Sequence, residues 1–153
     1  MSDYVTFTLD GCDYATRIDR VREVVRLAAL TRLPGMSAPL AGILDLRGHS
    51  LPVLDIRSGS SDTGDVLVLH TGGADVGFVC DRVTAVLEAS LLASEDSGGG
   101  DAATPRPRAG ILPDYIEQVL RGPSGAVFLV DVEAMAGDLA MRAAQGITEL
   151  TPA

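Results

Sequence analysis

The chain has no lysine and no tryptophan. Its 12 basic residues are therefore all arginine, set against 21 Asp and Glu for a net charge of −9. A chain this poor in cations builds no basic patch for nucleic acid or an anionic bilayer. Lysine absence beside abundant Ala and Gly reads as codon bias more than function, yet it leaves arginine as the surface's one permanently charged cation. Aromatic residues make up 4% of the chain, so the core has to come from Val, Leu, Ile and Ala. The two cysteines, Cys12 and Cys80, are too few and too scattered for a metal site, and no CxxC occurs. Cys80 lies in an apolar strand and reads as a small buried hydrophobe. No apolar run reaches the roughly 18 residues a membrane span requires. The opening MSDYVTF has no basic region and no apolar stretch of useful length, so no secretory signal is expected. A soluble, cytoplasmic protein is the expectation.

What is present suits one domain. The chain has 153 residues, 46% of them apolar, and a domain of that size buries roughly 70% of its unfolded surface without a staple. Its most informative stretch is GILDLRGHSLPVLDIR, residues 42–57. Two short aliphatic runs, Ile43–Leu46 and Leu51–Leu54, flank a tight turn in which Gly48 supplies positive φ. Pro52 cannot donate to a ladder and belongs on an edge or a strand start. Arg47 stands at the mouth of the turn, with Asp45 the sole acidic residue within three positions.

The chain also repeats itself. Residues 7–25 align without a gap on 69–87, matching Gly11 with Gly73, Asp13 with Asp75, Asp19-Arg20-Val21 with Asp81-Arg82-Val83, and Val24 with Val86. A second echo follows each copy: Arg47-Gly48 leads to VLDI (Val53–Ile56), and Arg121-Gly122 to LVDV (Leu129–Val132). Each half reads strand, glycine turn, strand, short amphipathic piece, hairpin. Two copies of several short strands predict a pseudo-two-fold pair of small β-barrels. The crossover is placed near 58–65, where SGSSDTGD is small and polar. Ser94–Arg108, rich in Gly, Ser, Asp and Pro, is expected to be a mobile, protease-sensitive loop. Val132, Met135, Ala136, Leu139 and Ala143 recur at helical spacing, with Asp131 as N-cap.

Candidate chemistry is sparse. Asp55, Asp81 and Asp131 each follow an apolar strand, where a carboxylate serves acid–base work, a hard metal or a backbone cap. Asp55 and Asp131 are equivalent in the two halves and Asp81 matches Asp19, so repetition by position favours structure. His49 falls in the hairpin turn, and His70 ends a strand. GxSxG, GxGxxG and the Walker sequence are absent, and Gly98–Gly100 is fed by no strand. No enzyme, metal or cofactor is expected.

These segments, in this order, resemble the CheW-like family of chemotaxis coupling proteins. The LRG turn and its strand supply Gly42, Leu46, Arg47, Gly48, Pro52, Val53 and Asp55. Tyr4–Val25 is similar to the family's opening strand pair and short helical segment, and Thr31–Gly35 to its proline turn. Val76–Glu88, Leu112–Val119 and Phe128–Met135 resemble the later elements, so the likeness spans roughly residues 4–136. It implies a mainly β fold: two five-stranded barrels around a shared apolar core, with short helices and a C-terminal helix, forming a single domain over residues 1–153. It also implies a non-catalytic adaptor joining chemoreceptor tips to the regulatory domain of a chemotaxis histidine kinase, recruited to membrane receptor arrays. Carried over by position, the partner-binding residues are Val21 and Glu23 on a kinase-facing edge, Gly42, Arg47 and Gly48 in the hairpin, and Gly77 beside the receptor groove. For Val21 a core role competes, and for the glycines turn or packing chemistry does. Asp45 stands where the family usually has Asn, and Gln118 where it often has Gly. A small-molecule sensor, a scaffold in another signalling pathway, and an enzyme using Asp81 or Asp131 remain as alternatives.

Overall fold

The computed structural model describes residues 3–32, 34–35, 38–59, 62–71, 73–88, 93–94, 112–122, 125–139 and 141. Within them the alternating apolar pattern forms strands β1 (Tyr4–Leu9), β2 (Cys12–Arg17), β3 (Val21–Arg26), β4 (Leu40–Leu46), β5 (His49–Leu54), β6 (Asp65–Thr71), β7 (Ala74–Cys80), β8 (Arg82–Leu87), β9 (Ala93–Ser94), β10 (Ile116–Gly122) and β11 (Gly125–Val130). Short 3-10 turns occupy Ile18–Arg20 and Leu112–Tyr115. A helix, α1, covers 132–139. Asp131 caps it as expected: its Oδ1 accepts the Ala134 N–H at 3.0 Å. The 95–108 segment and the tail from 142 lie outside the described residues.

The strands form two sheets. The first runs β8-β1-β2-β11-β10-β9 and the second β3-β6-β7-β5-β4. The duplication is visible in this order, because β1, β2, β8, β10 and β11 stand in the first sheet where β6, β7, β3, β4 and β5 stand in the second. Each sheet is consequently assembled from both halves of the sequence. The chain changes sheet at Ile18–Arg20, between β2 and β3, and at Asp81, between β7 and β8. Residues 58–65, expected as the crossover, join β5 to β6 within the second sheet. The symmetry extends to backbone detail: Asp55 N–H donates to the Pro39 carbonyl at 2.9 Å, and its counterpart Asp131 to the Tyr115 carbonyl at 3.0 Å.

Two features depart from the expected five-stranded barrels. The two-residue β9 adds a sixth strand to the first sheet. Neither sheet closes into a continuous barrel among the described residues, because the ladders stop at their edges. The second sheet curls far enough for Thr31 and Ile43 to exchange both backbone bonds, at 2.9 and 2.8 Å, which draws the segment after β3 onto the opposite edge β4. Twist and β-bulges drive such curling. The bulges are themselves duplicated, at Arg22 in β3 and Thr84 in β8, and at Ala41 in β4 and Glu117 in β10.

The expectation of a short helical segment closing Tyr4–Val25 is half met. Ile18–Arg20 is a 3-10 turn, but Val21–Arg26 is a strand with strict alternation of half-buried and exposed residues. The consecutive Val24 and Val25 imitate helical spacing, although they lie on opposite faces of an edge strand.

Three apolar clusters fill the fold. The largest lies between the sheets and joins Phe7, Leu9, Tyr14, Leu67, Leu69 and Phe78 to Val132, Met135 and Leu139 of α1. Leu44, Leu51, Val53, Val66, Val68 and Val79 fill the hollow of the second sheet. Ala15, Leu120, Val127 and Leu129 fill that of the first. Leu44, Leu51 and Val53 are the counterparts of Leu120, Val127 and Leu129, so the two inner clusters repeat as the sequence does.

Cys80 is wholly buried in the shared cluster, and burial, reinforced by Asp65 and Asp81, pushes its thiol up to about 12. Since the thiolate is the reactive form, Cys80 is expected to resist a disulfide reagent at pH 8 until the protein unfolds. A native thiol titration should count at most one fast-reacting group, from the half-buried Cys12. Two fast thiols in the folded protein would contradict this placement.

Candidate functional site

The LRG hairpin forms as its residues dictate. A two-residue hairpin loop in a type I′ turn, whose twist suits right-twisted strands, needs positive φ at both positions. Arg47 has φ 50° and Gly48 φ 84°. A Cβ on Gly48 would meet nothing within 4 Å, so glycine is required there for conformation and not for space. Arg47 bears the strain of a left-handed backbone for a residue with a side chain, which fixes the direction in which its guanidinium leaves the turn.

Arg47 is not paired with Asp45, its neighbour in sequence. Its partner is Glu23, whose Oε2 accepts from Nη2. The curl of the second sheet makes this contact, because β3 and the β4–β5 turn belong to opposite edges. The hydrogen bond from Arg47 holds the Glu23 carboxyl below the usual range, and Glu23 raises the Arg47 guanidinium. The expectation that Arg47 has no matched acidic partner beyond Asp45 is overturned, and two of the residues singled out from sequence prove to touch.

Three further ion pairs surround this contact. Arg22, the bulged residue of β3, donates from Nη1 to both oxygens of Asp75, at 3.1 and 3.2 Å. His70 Nδ1 lies 2.9 Å from the same carboxylate, across a rung of the β6–β7 ladder. Arg20, in the turn before β3, pairs with Glu133 of α1. The start of β3 is thus fastened by charge to three separate elements.

The other sequence candidates lie inward. Val21 is half-buried and packs against the shared cluster. Gly42 and Gly77 lie on either side of Val53, which is their register partner on β5. A Cβ on Gly42 would stand 2.7 Å from Leu30 Cβ, and one on Gly77 2.9 Å from Val66 Cγ1. Both glycines are buried, so they shape the hollow of the second sheet.

The three strand-end aspartates have structural work. Asp55 grips Arg57 through Nε and Nη2, at 3.0 and 2.9 Å, and accepts the Arg57 backbone N–H. Asp81 accepts the Asp10 backbone N–H at 2.8 Å, while Asp10 accepts that of Ser58. Arg57 is 3% exposed, donates to the Thr63 carbonyl, and lies 3.7 Å from Asp81. This clasp links the β1–β2 turn of the first sheet to the β5–β6 connection of the second. Sequence reasoning missed it; the signal available was an arginine two residues beyond a strand-ending aspartate, able to turn back on it. Among the described residues no group of three or more His, Cys, Asp or Glu is placed to hold a metal ion. None of the described helices is long and apolar enough to cross a membrane.

Comparison with known proteins gives this geometry a family. The CheW-like domain matches residues 3–140, nearly the whole chain. A chemotaxis protein CheW of Bacillus subtilis is 32% identical over 53 residues, which span 35% of this chain and 34% of that relative. The scaffolding protein TtCheW from Thermoanaerobacter tengcongensis shares the fold at a TM-score of 0.65 and 21% identity, over 86% of this chain and 85% of its own. The chain belongs to the CheW-like family.

Proposed function

We propose that this CheW-like chain is a non-catalytic adaptor that couples chemoreceptors to a chemotaxis histidine kinase, acting in the cytoplasm at membrane receptor arrays. The observation that carries the reading is a family match over residues 3–140, joined to an LRG turn that displays Arg47 with 68% of its side chain exposed. The resemblance implies two docking partners. One is the kinase's regulatory domain, of the same fold, which sets barrel against barrel. The other is the helical hairpin of a receptor tip, laid into an apolar groove between the two barrels, as helix-in-groove recognition requires. In this reading Arg47 and Glu23 act together at the kinase-facing edge: Glu23 pre-orients the guanidinium, and the partner supplies a second carboxylate. Val21 sets the edge from beneath. Gly42, Gly48 and Gly77 act through the shape of the hairpin and its core.

Arg47→Ala is expected to weaken the complex by about 2 kcal/mol, as truncating one side of a desolvated charge pair does. The fold should change by less than about 0.5 kcal/mol, because an exposed ion pair adds little to stability. Arg47→Lys should fail to restore binding, since an ammonium cannot satisfy two carboxylates in one plane. Titration calorimetry against the kinase regulatory domain and a receptor-tip fragment, with melting curves alongside, measures both effects. Wild-type affinity for both partners in the alanine variant would end the proposal for Arg47.

A further inference from the structure

In the cluster around Arg47 the cation is always the more exposed member. Arg47 is 68% exposed against 31% for Glu23. Arg22 is 58% exposed and His70 52%, against 35% for the Asp75 they share. Counted as formal charges, two arginines balance two carboxylates. Counted by exposure, the cations stand further into solvent than Glu23 and Asp75, and exposed Asp45 lies two residues from Arg47. In a chain of net charge −9 this is a patch whose arginines are its outermost groups. The bulge at Arg22 assembles it: two β3 residues, Arg22 and Glu23, occupy the space of one against β6, and a bulge re-aims side chains in this way. The carboxylate of Glu23 feels Arg22 and Asp75 as well as Arg47, so the five groups are one electrostatic unit.

We infer that the Arg22–Asp75–His70 cluster extends the Arg47 contact into a docking surface for a carboxylate-bearing partner. The inference rests on the adaptor reading only for the partner's identity. Asp75 is held ionised by the His70 hydrogen bond first and by Arg22 next. An ionised carboxylate only accepts hydrogen bonds, so His70 donates to Asp75 from Nδ1. The charged groups facing His70 are Asp75 across the ladder on β7 and, through Asp75, Arg22 on β3, with Glu23 and Arg47 beyond. Arg22, the more exposed donor to Asp75, is placed to turn to an incoming carboxylate while His70 keeps Asp75 hydrogen-bonded.

Hexaglutamate is a probe of this surface that needs no knowledge of the physiological partner. Amide shifts on adding it at low ionic strength should concentrate at residues 20–26, 47–48 and 70–75. Arg22→Gln should weaken the probe about five-fold or more. Absent or scattered shifts, or wild-type affinity in Arg22→Gln, would each overturn the inference. Failure of the adaptor reading looks different: hexaglutamate still maps to this face, but the kinase regulatory domain does not bind.

Discussion

Gly77→Val is expected to lower folding stability by about 3 kcal/mol or more, because a well-packed core accepts extra methyl groups only by displacing neighbours. The new Cβ would stand 2.9 Å from Val66 Cγ1, 3.0 Å from Val53 Cγ2 and 3.5 Å from Leu51 Cδ1. Val53 and Val66 are 0% exposed and Leu51 3%, so none has solvent to move into. Gly77→Ala should cost less, roughly 1 to 2 kcal/mol, at the lower end of overpacking effects. The first sheet shows how the clash is relieved. Ala15 holds the equivalent place, fully buried, and the counterpart of Val66 there is Tyr4, which lies half out of the cluster. Gly77→Ala combined with Val66→Ala should accordingly lose less than the sum of the two single changes, the mark of residues in contact. Denaturant unfolding of the four proteins measures this coupling. Additive losses would show that Gly77 is not held small by Val66. Any loss of partner binding in Gly77→Val should track its unfolded fraction, unlike the loss in Arg47→Ala.

The second large effect belongs to Arg57. Arg57→Met is expected to destabilise the fold by about 3 kcal/mol. Removing one member of a buried pair costs about 3–5 kcal/mol, and the water still reaching Asp55 and Asp81, 22% and 43% exposed, puts the expected value at the low end. The methylene stem is replaced, so packing is largely kept and the loss reports the charge and its hydrogen bonds. Arg57→Lys should recover little, because a single ammonium cannot reach both oxygens of Asp55 and the Thr63 carbonyl together. Salt separates the two kinds of ion pair in this protein. The Arg57 contribution should survive 0.5 M salt, because buried pairs are weakly screened, whereas that of exposed Arg20–Glu133 should fade. Equal salt sensitivity of the two would mean that water reaches Arg57.

What could be read from the sequence was whatever depends on neighbours along the chain. The Arg47-Gly48 turn, the Asp131 cap and the face of α1 are local patterns, and each appears where its residues placed it. The duplication was legible because Asp19-Arg20-Val21 and Asp81-Arg82-Val83 are identical triplets. Strand exchange between the sheets was not legible, since the apolar face of β3 says that it pairs but not with what. The Glu23–Arg47 contact depends on that exchange and on the curl of the second sheet, so a search within three residues of Arg47 found only Asp45. The bulge at Arg22 and the doublet Val24-Val25 disguised the period of two that would have marked β3 as a strand. Arg57 went unremarked because an arginine at a strand end is ordinarily solvated, and only the fold covers it.

The exchange of strands bears on how such a chain arose. A single copy of the repeat contains β1 to β5, yet its first two strands and its last three end up in different sheets. Alone, it has the strands for two incomplete layers and for no finished one. An ancestor of one repeat could complete both layers only by trading arms with a twin, as a homodimer whose existence depended on its concentration. Fusion of two gene copies places the twin permanently at hand, at an effective concentration set by the short polar connection at 58–65. Once fused, the halves are released from identity. One has drifted to Arg22 and Glu23 while the other holds Thr84 and Ala85 at the matching places, and Arg121-Gly122, which echo Arg47-Gly48 in sequence, lie within β10, two positions short of the equivalent turn. The asymmetry needed to tell one partner from another is thus open to a fused pair and closed to a symmetric dimer.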